Sequence, residues 1–147
     1  MRYVSKIILV VDDEPMVHEL LEINLKRMKT PVEIHNALTG EEGIEMYRKL
    51  MEEGKKPDLV IMDLNLSGED NMTAIENHMK GTGKLDGVRT TDGILKIDPQ
   101  ARIWGYTAWF DTEWSKKLGE YTEKIIGRTI PFHEFSKMVD MFFQQQD

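Results

Sequence analysis

The feature that most constrains this chain is a short apolar run that ends in an acid. Asp58 is followed by four apolar residues, two of them β-branched, and then by Asp63. A continuous apolar run of this length is typical of a strand that is buried on both faces of a parallel sheet. In open α/β folds such strands end at the carboxyl edge of the sheet, where ligands bind. The run therefore predicts an α/β fold with Asp63 at a functional edge.

A second apolar run, over residues 6–11, has the same form and ends in Asp12, Asp13 and Glu14. Two unit charges about 4 Å apart repel by roughly 4 kcal/mol at an effective dielectric constant of about 20. Carboxylates that meet at one edge therefore need a cation, a proton or shared solvent. Mg²⁺ suits such a cluster because it is a hard ion that prefers oxygen ligands. The two runs together predict a magnesium site.

The rest of the chain alternates between strand and helix patterns. Strand-like runs occur at residues 6–11, 32–35, 58–63, 102–107 and 123–128, and each is followed by a helix pattern. This alternation predicts a parallel sheet with helices on both faces, joined by right-handed crossovers. We expect a flavodoxin-like (βα)5 three-layer sandwich with strand order 2-1-3-4-5. In that order strands one and three are neighbours, so Asp12, Asp13 and Asp63 converge.

Composition excludes several classes of protein. The 147 residues have the size of one domain, so we predict a single domain over 1–147. The net charge of −7 argues against a nucleic-acid partner, because nucleic-acid binding requires a basic face. The absence of cysteine excludes disulfides and cysteine-based zinc sites. The first apolar run is too short for a signal core or a membrane span, so we expect a soluble, cytoplasmic protein without a membrane partner.

Short segments along the chain resemble the receiver domain of two-component response regulators. They are residues 8–15, 60–64, 86–87, 106–108 and 130–132. Each segment alone is weakly specific, but together they follow the order of the family over nearly the whole chain. The resemblance implies a stand-alone signalling switch that is not an enzyme, beyond phosphorylating and dephosphorylating itself.

The resemblance also implies a role for each matching position. Asp63 would accept a phosphoryl group from a sensor histidine kinase or a phosphotransfer protein. Asp13 and Asp63 would bind Mg²⁺, Asp12 would assist through water, and the backbone carbonyl of Asn65 would be a further ligand. The Thr107 hydroxyl would bond a phosphoryl oxygen. The domain would then act on a downstream protein that the resemblance does not identify, and homodimerisation is left open.

One departure from the family pattern lies just after Asp63. The Asp86-Gly87 pair arrives late, so residues 69–86 form an insertion that is long for such a connection. Glycines and small polar residues flank a helix-like pattern over residues 71–80. We expect this insertion to be a mobile flap beside the Asp63 pocket.

Two further departures concern the read-out of the phosphoryl group. Ile130 stands where the family has a lysine that binds the phosphoryl group, and Gly127 stands where it has a switching aromatic residue. A working switch would need a substitute cation, for which Lys84, Arg89 and Arg128 are candidates. We favour a cation from the insertion end, because Arg128 would sit about 6–7 Å further down the strand than Ile130.

Other functions fit the same residues. A pseudo-receiver would be a binding module that has lost the phosphate read-out. A small Mg²⁺-dependent phosphatase or phosphotransferase would instead turn over a free substrate. Asp63-Leu64-Asn65 is similar to the Asp-x-Asp motif of haloacid-dehalogenase-like phosphatases, although that motif ends the first strand of its domain and here it ends the third. The acids could also be cap and turn residues without a metal.

Overall fold

A computed structural model of the chain describes residues 5–66, 85–108 and 113–146. The strands within these ranges are β1 (Lys6–Val11), β2 (Val32–Ala37), β3 (Leu59–Met62), β4 (Ile103–Thr107) and β5 (Lys124–Gly127). The helices are α1 (Pro15–Leu25), α2 (Gly40–Glu52), α3 (Gly87–Ile97), α4 (Glu113–Gly119) and α5 (Phe132–Gln144). The alternation predicted from the sequence is therefore confirmed.

The strands form one parallel sheet in the order β2-β1-β3-β4-β5. All four residues of β3 are buried, as expected for a strand that is covered on both faces. β2 lies at an edge, and its burial pattern is accordingly mixed. The register pairs Val11 at the end of β1 with Met62 at the end of β3. The predicted fold class and strand order are confirmed, and the two acid-tipped strands are neighbours.

Side chains that alternate along the strands form two apolar layers, one on each face of the sheet. The layer under α1 and α5 includes Ile8, Val10, Leu21, Ile61, Trp104, Tyr106, Ile126 and Phe135. The layer under α2 and α3 includes Leu9, Val11, Tyr47, Val60, Met62, Ile94 and Ile103. This period of two decides which residues beyond each strand end face the same side of the sheet.

Two of the described helices begin at a residue whose side chain caps them. Thr39 accepts a hydrogen bond from the backbone N–H of Glu42 at 3.1 Å, which fixes the start of α2. Asp86 does the same for α3, accepting from the N–H of Arg89 at 2.9 Å. None of the helices in the described residues combines the length and the apolarity that a membrane span requires.

The predicted insertion ends earlier than the sequence suggested. Asp86 is buried and caps α3, so it belongs to the core fold rather than to the flap. The backbone N–H of Gly87 donates to the carbonyl of Leu64 at 2.7 Å, which brings the two sides of the connection together. The predicted helix over residues 71–80 and the candidate cation Lys84 lie outside the described residues.

Candidate functional site

The register of the sheet brings the three predicted acids together. The N–H of Asp63 donates to the carbonyl of Val11 at 3.0 Å, and that of Asp12 donates to the carbonyl of Ala37 at 3.1 Å, so both residues extend the ladder by one step. Asp12, Asp13 and Asp63 each offer a carboxylate oxygen, and these oxygens all lie within 4.8 Å of one another. The strands therefore place a cluster of oxygen ligands at the carboxyl edge of the sheet.

Asp12 is enclosed by the protein on every polar atom. Its side chain is 3% exposed, and its Oδ1 accepts from the N–H of Glu14 at 2.9 Å. Its backbone carbonyl accepts from Nε2 of His18 at 2.7 Å, and Nδ1 of His18 lies 2.7 Å from Oδ1 of Asn36 on β2. His18 thus fixes the turn that carries Asp12. No spacing in the sequence points to His18, because one partner is a backbone atom and the other lies on a different strand.

The environment of Asp63 raises the pKa of its carboxyl group well above the ordinary value. Burial raises the pKa of Asp63, the Asp12 charge raises it further, and the result is a pKa of about 7. The Arg128 charge and hydrogen bonds from the N–H of Leu64 and the hydroxyl of Thr107 lower this pKa only in part. Thr107 is fully buried at the end of β4, so its hydroxyl is directed at Asp63 by the neighbouring strand.

Arg128 supplies a positive charge to this cluster. Its Nη2 donates to Oδ2 of Asp12 at 2.6 Å and lies 3.9 Å from Oδ1 of Asp63. Its Nε donates to the carbonyl of Tyr106 at 3.2 Å, and its guanidinium carbon lies 4.8 Å from the centroid of the Tyr106 ring. The guanidinium is thus held by a carboxylate, a carbonyl and an aromatic face.

The expectation that Arg128 lies too far down its strand is wrong. β5 ends at Gly127, and the N–H of Ile130 bonds back to the carbonyl of Gly127 at 3.0 Å, so the chain turns instead of extending. Arg128 therefore lies at the strand end itself, where its N–H bonds the carbonyl of Thr107 at 3.0 Å. Of the two cations favoured from the insertion end, Arg89 bonds Asp86 at 3.1 Å, and Lys84 is not among the described residues.

Ile130 and Gly127, which stand where the family has a lysine and an aromatic residue, make other contacts in this chain. Ile130 packs against the apolar layer under α1 and α5, and its carbonyl accepts from the hydroxyl of Tyr106 at 2.6 Å. Gly127 is paired with Thr107 in the register and brings no side chain to the pocket. The tip of β5 is therefore arranged around Arg128 and Tyr106.

Gly87 packs closely against the backbone of Asp63, the residue that carries one of the three carboxylates. A Cβ atom at this position would lie 2.2 Å from the backbone oxygen of Asp63 and 2.8 Å from Cα of Leu64. Only glycine allows α3 to approach the phosphoacceptor candidate this closely. The Asp-Gly pair noted in the sequence thus has two separate functions, a helix cap at Asp86 and a close backbone contact at Gly87.

The sequence and the structure of the chain are both similar to those of known proteins. The sequence matches the family model of the response regulator receiver domain over residues 8–122. A chain of the CheX–CheY–BeF3–Mg complex of Borrelia burgdorferi superposes with a TM-score of 0.70 at 18% identity, covering 94% of this chain and 89% of that one. A CheY-like receiver protein of Methanospirillum hungatei gives 0.70 at 18% identity, covering 97% of each chain.

One further solved structure is somewhat more similar in sequence. The response regulator TrrA of Thermotoga maritima, in complex with Mg²⁺ and a beryllium fluoride, superposes with a TM-score of 0.66 at 26% identity. The match covers 92% of this chain and 97% of that one. The family match spans the acids of β1 and β3, the Asp-Gly pair and Thr107, so this chain belongs to the response regulator receiver domain family.

Proposed function

We propose that this receiver is a signalling switch that is phosphorylated on Asp63. The observation that carries the proposal is the cluster of three carboxylates within 4.8 Å at the ends of β1 and β3. The Thr107 hydroxyl donates to Asp63 from β4, so a hydrogen-bond donor is already directed at the group that would be modified. In this family such an arrangement receives a phosphoryl group and alters partner binding.

The residues of the cluster fit Mg²⁺, because all of the donors are oxygens and their charge exceeds that of Arg128. Asp13, Asp63 and the backbone carbonyl of Asn65 would hold the ion, and Asp12 would assist through water. When bound, Mg²⁺ would neutralise charge on the oxygens of the transferring phosphoryl group. The TrrA structure was solved with Mg²⁺ and a beryllium fluoride, which supports the same chemistry here.

The transfer itself needs little covalent chemistry from the protein. A carboxylate oxygen of Asp63 attacks the phosphorus of a phosphohistidine on a sensor kinase or a phosphotransfer protein. The new bond is P–O, the P–N bond breaks, and the histidine nitrogen leaves with the electron pair. Thr107 would donate its hydroxyl hydrogen to a phosphoryl oxygen. The phosphorylated domain would then act by binding a downstream protein.

The test is labelling with radioactive acetyl phosphate and Mg²⁺. We expect stoichiometric, acid-stable and base-labile label on wild type, and none on Asp63→Asn. Asp13→Ala should lose Mg²⁺ affinity by tenfold or more in calorimetry, because even the loss of an outer-shell partner of a metal ligand typically costs about 10–100-fold. Asp63→Asn should lose less, because its amide oxygen remains. Equal Mg²⁺ affinity of wild type and Asp13→Ala would contradict the metal assignment.

A binding module without phosphate read-out is the second candidate. It is favoured by Gly127 and Ile130, because neither residue offers the aromatic ring or the charge through which the family responds to the phosphoryl group. A protein that never takes up label but retains a binding partner would have this function. Steady release of phosphate from a phosphate monoester would instead identify a phosphatase.

A further inference from the structure

We infer that Arg128 is the cation that binds the phosphoryl group in this receiver. Before Asp63 is modified, Arg128 is paired with Asp12. The inference rests on the proposed phosphorylation of Asp63. It assigns to Arg128 the charge that Ile130 cannot supply, and it makes Asp12 the anchor of that charge as well as a member of the metal cluster.

The first support is the side of the sheet on which these residues lie. Asp12 continues the alternation of Ile8 and Val10, and Asp63 continues that of Ile61, all of which belong to the layer under α1 and α5. Arg128 continues the alternation of Ile126 in the same layer. The guanidinium therefore extends over the same face of the sheet as the carboxylates that it contacts.

The second support is the way in which the guanidinium is fixed. Nε is bonded to the carbonyl of Tyr106, Nη2 is bonded to Asp12, and the guanidinium carbon lies over the Tyr106 ring. That ring is itself held by stacking on Phe135, with the ring centroids 4.0 Å apart, and by its hydroxyl bond to Ile130. An arginine on such a rigid platform loses little conformational freedom when it binds a ligand.

The third support is that Arg128 has N–H donors that its two hydrogen bonds do not use. Guanidinium carries five N–H donors, and the two bonds to Tyr106 and Asp12 use only part of that set. Within the part of the chain that the structure describes, Nη1 bonds to no other residue. Nη2 lies 3.9 Å from Oδ1 of Asp63, too far for a direct hydrogen bond. A phosphoryl group on Asp63 would project its oxygens beyond the carboxylate and into reach of these donors.

The position of Arg128 predicts different effects of its substitution for a binding role and for a structural role. Arg128 neutralises the same carboxylates that would bind Mg²⁺, so removing its charge should strengthen Mg²⁺ binding. The same substitution should weaken binding of a phosphoryl group, because the oxygens lose their donor. General damage to the pocket would weaken both, so only a cation with this placement gives effects of opposite sign.

The experiment uses Arg128→Met, with Arg128→Lys as a second variant that keeps the charge. Arg102→Met is the matched control. Arg102 lies just before the N-terminal end of β4, at the opposite end of the strand from Thr107, and pairs with Glu123 at 3.6 Å. The probes are Mg²⁺ alone, beryllofluoride at saturating Mg²⁺, and the half-life of acetyl-phosphate label on Asp63. All are measured at one ionic strength, and thermal unfolding checks that each variant is folded.

For Arg128→Met we expect Mg²⁺ affinity to rise about tenfold and beryllofluoride affinity to fall by about tenfold or more. The yield or the half-life of the label on Asp63 should change by a similar factor. Arg128→Lys should lie between Arg128→Met and wild type, because it offers a point charge without the planar fork. Arg102→Met should match wild type. Adding Ile130→Lys to Arg128→Met should restore beryllofluoride affinity.

Three results would overturn the inference. If Arg128→Met matches wild type in beryllofluoride affinity and in the labelling of Asp63, the inference fails while the proposed function stands. If Arg128→Met, properly folded, loses Mg²⁺ and beryllofluoride affinity together, Arg128 is a structural residue. If wild type and Ile130→Lys both remain unlabelled and bind no beryllofluoride, the proposed phosphorylation fails and the inference fails with it.

Discussion

The two sides of the pocket differ in whether they keep the residues that the family has at these positions. The acid side, which comprises Asp12, Asp13 and Asp63 at the ends of β1 and β3, keeps the residues of the family at the expected steps of the ladder. The cation side, which comprises Arg128 and Ile130 after β5, does not. Carboxylates have short side chains, so backbone register alone must place them. A long arginine reaches the pocket from another position, and the cation side is therefore freer to change.

The two sides also differ in the interactions that fix their residues in place. On the acid side, bonds between neighbouring strands fix the backbone of Asp12 and Asp63. On the cation side, the guanidinium of Arg128 depends on Tyr106 for a carbonyl and for a ring. Changes to the acid side should therefore alter the stability of the fold, whereas changes to the cation side should mainly alter what the pocket binds.

The largest effect should come from Asp63→Asn in metal-free buffer. The folded pKa of Asp63 is about 7, which is above its ordinary value of 3.8, so the folded state binds the proton more tightly than the unfolded state does. The stabilisation from this proton is present below pH 4 and is lost as the pH rises to about 7. At pH 8 the wild type should be less stable than Asp63→Asn by about 1–4 kcal/mol.

This prediction is checked by chemical denaturation of both proteins from pH 4 to pH 8 in the presence of a chelator. The gap between the two curves should open across this range and should shrink when Mg²⁺ is added, since a metal favours the ionised carboxylate. A gap that is constant from pH 4 to pH 8 would mean that Asp63 titrates normally, and that the acid side is less strained than its burial indicates.

The next effect should come from Gly87→Ala. The added methyl group would lie 2.2 Å from the backbone oxygen of Asp63, and backbone cannot move away as a flexible side chain does. We expect a loss of about 1–3 kcal/mol in the free energy of unfolding, together with weaker Mg²⁺ binding. Gly54→Ala is the control: its φ is +75° and nothing lies within 4 Å, so its cost of about 1 kcal/mol comes from conformation alone.

Unchanged Mg²⁺ affinity in Gly87→Ala, at a stability equal to that of Gly54→Ala, would show that α3 can retreat from Asp63. In that case the close approach of Gly87 would not help to position the acid side.

The acid side could be predicted from the sequence, whereas the cation side could be predicted only in part. An apolar run such as residues 59–62 is typical of a buried strand, and the position of Asp63 follows from where that strand ends. Strand alternation also put Arg128 on the correct face. The distance predicted for Arg128 is wrong because the turn at Ile130 depends on a backbone bond to Gly127, which no residue pattern marks. The sequence does not mark His18 either, because one of its ring nitrogens bonds a backbone carbonyl.

A smaller effect should come from Tyr106→Phe, which removes the hydroxyl bond to the carbonyl of Ile130. We expect about 1 kcal/mol of lost stability and a fall in beryllofluoride affinity, because the platform under Arg128 loosens. Tyr47→Phe is the control, since its hydroxyl bonds Asp98 at 2.7 Å beneath α2 and on the other face of the sheet. It should lose stability without any change in beryllofluoride affinity. The cation side is not held by Tyr106 if the two variants bind beryllofluoride equally.

The smallest effect on the fold should come from deleting residues 71–84. Gly87 bonds Leu64 at 2.7 Å, and both Leu66 and Leu85 lie two residues from that contact. The Cα atoms of Leu66 and Leu85 are each at most about 7 Å from this contact, and the five Cα–Cα steps that join them through residues 67–70 can span about 16–18 Å.

The deletion should consequently change the free energy of unfolding by no more than about 1 kcal/mol. Mg²⁺ affinity should also stay the same, because the strands position the acids without this segment. The half-life of phosphorylated Asp63 should change if the sequence-based expectation of a flap beside Asp63 is correct. Loss of cooperative unfolding would show that the segment contributes to the core, and a loss of Mg²⁺ affinity in a folded protein would show that register alone does not hold the acid side.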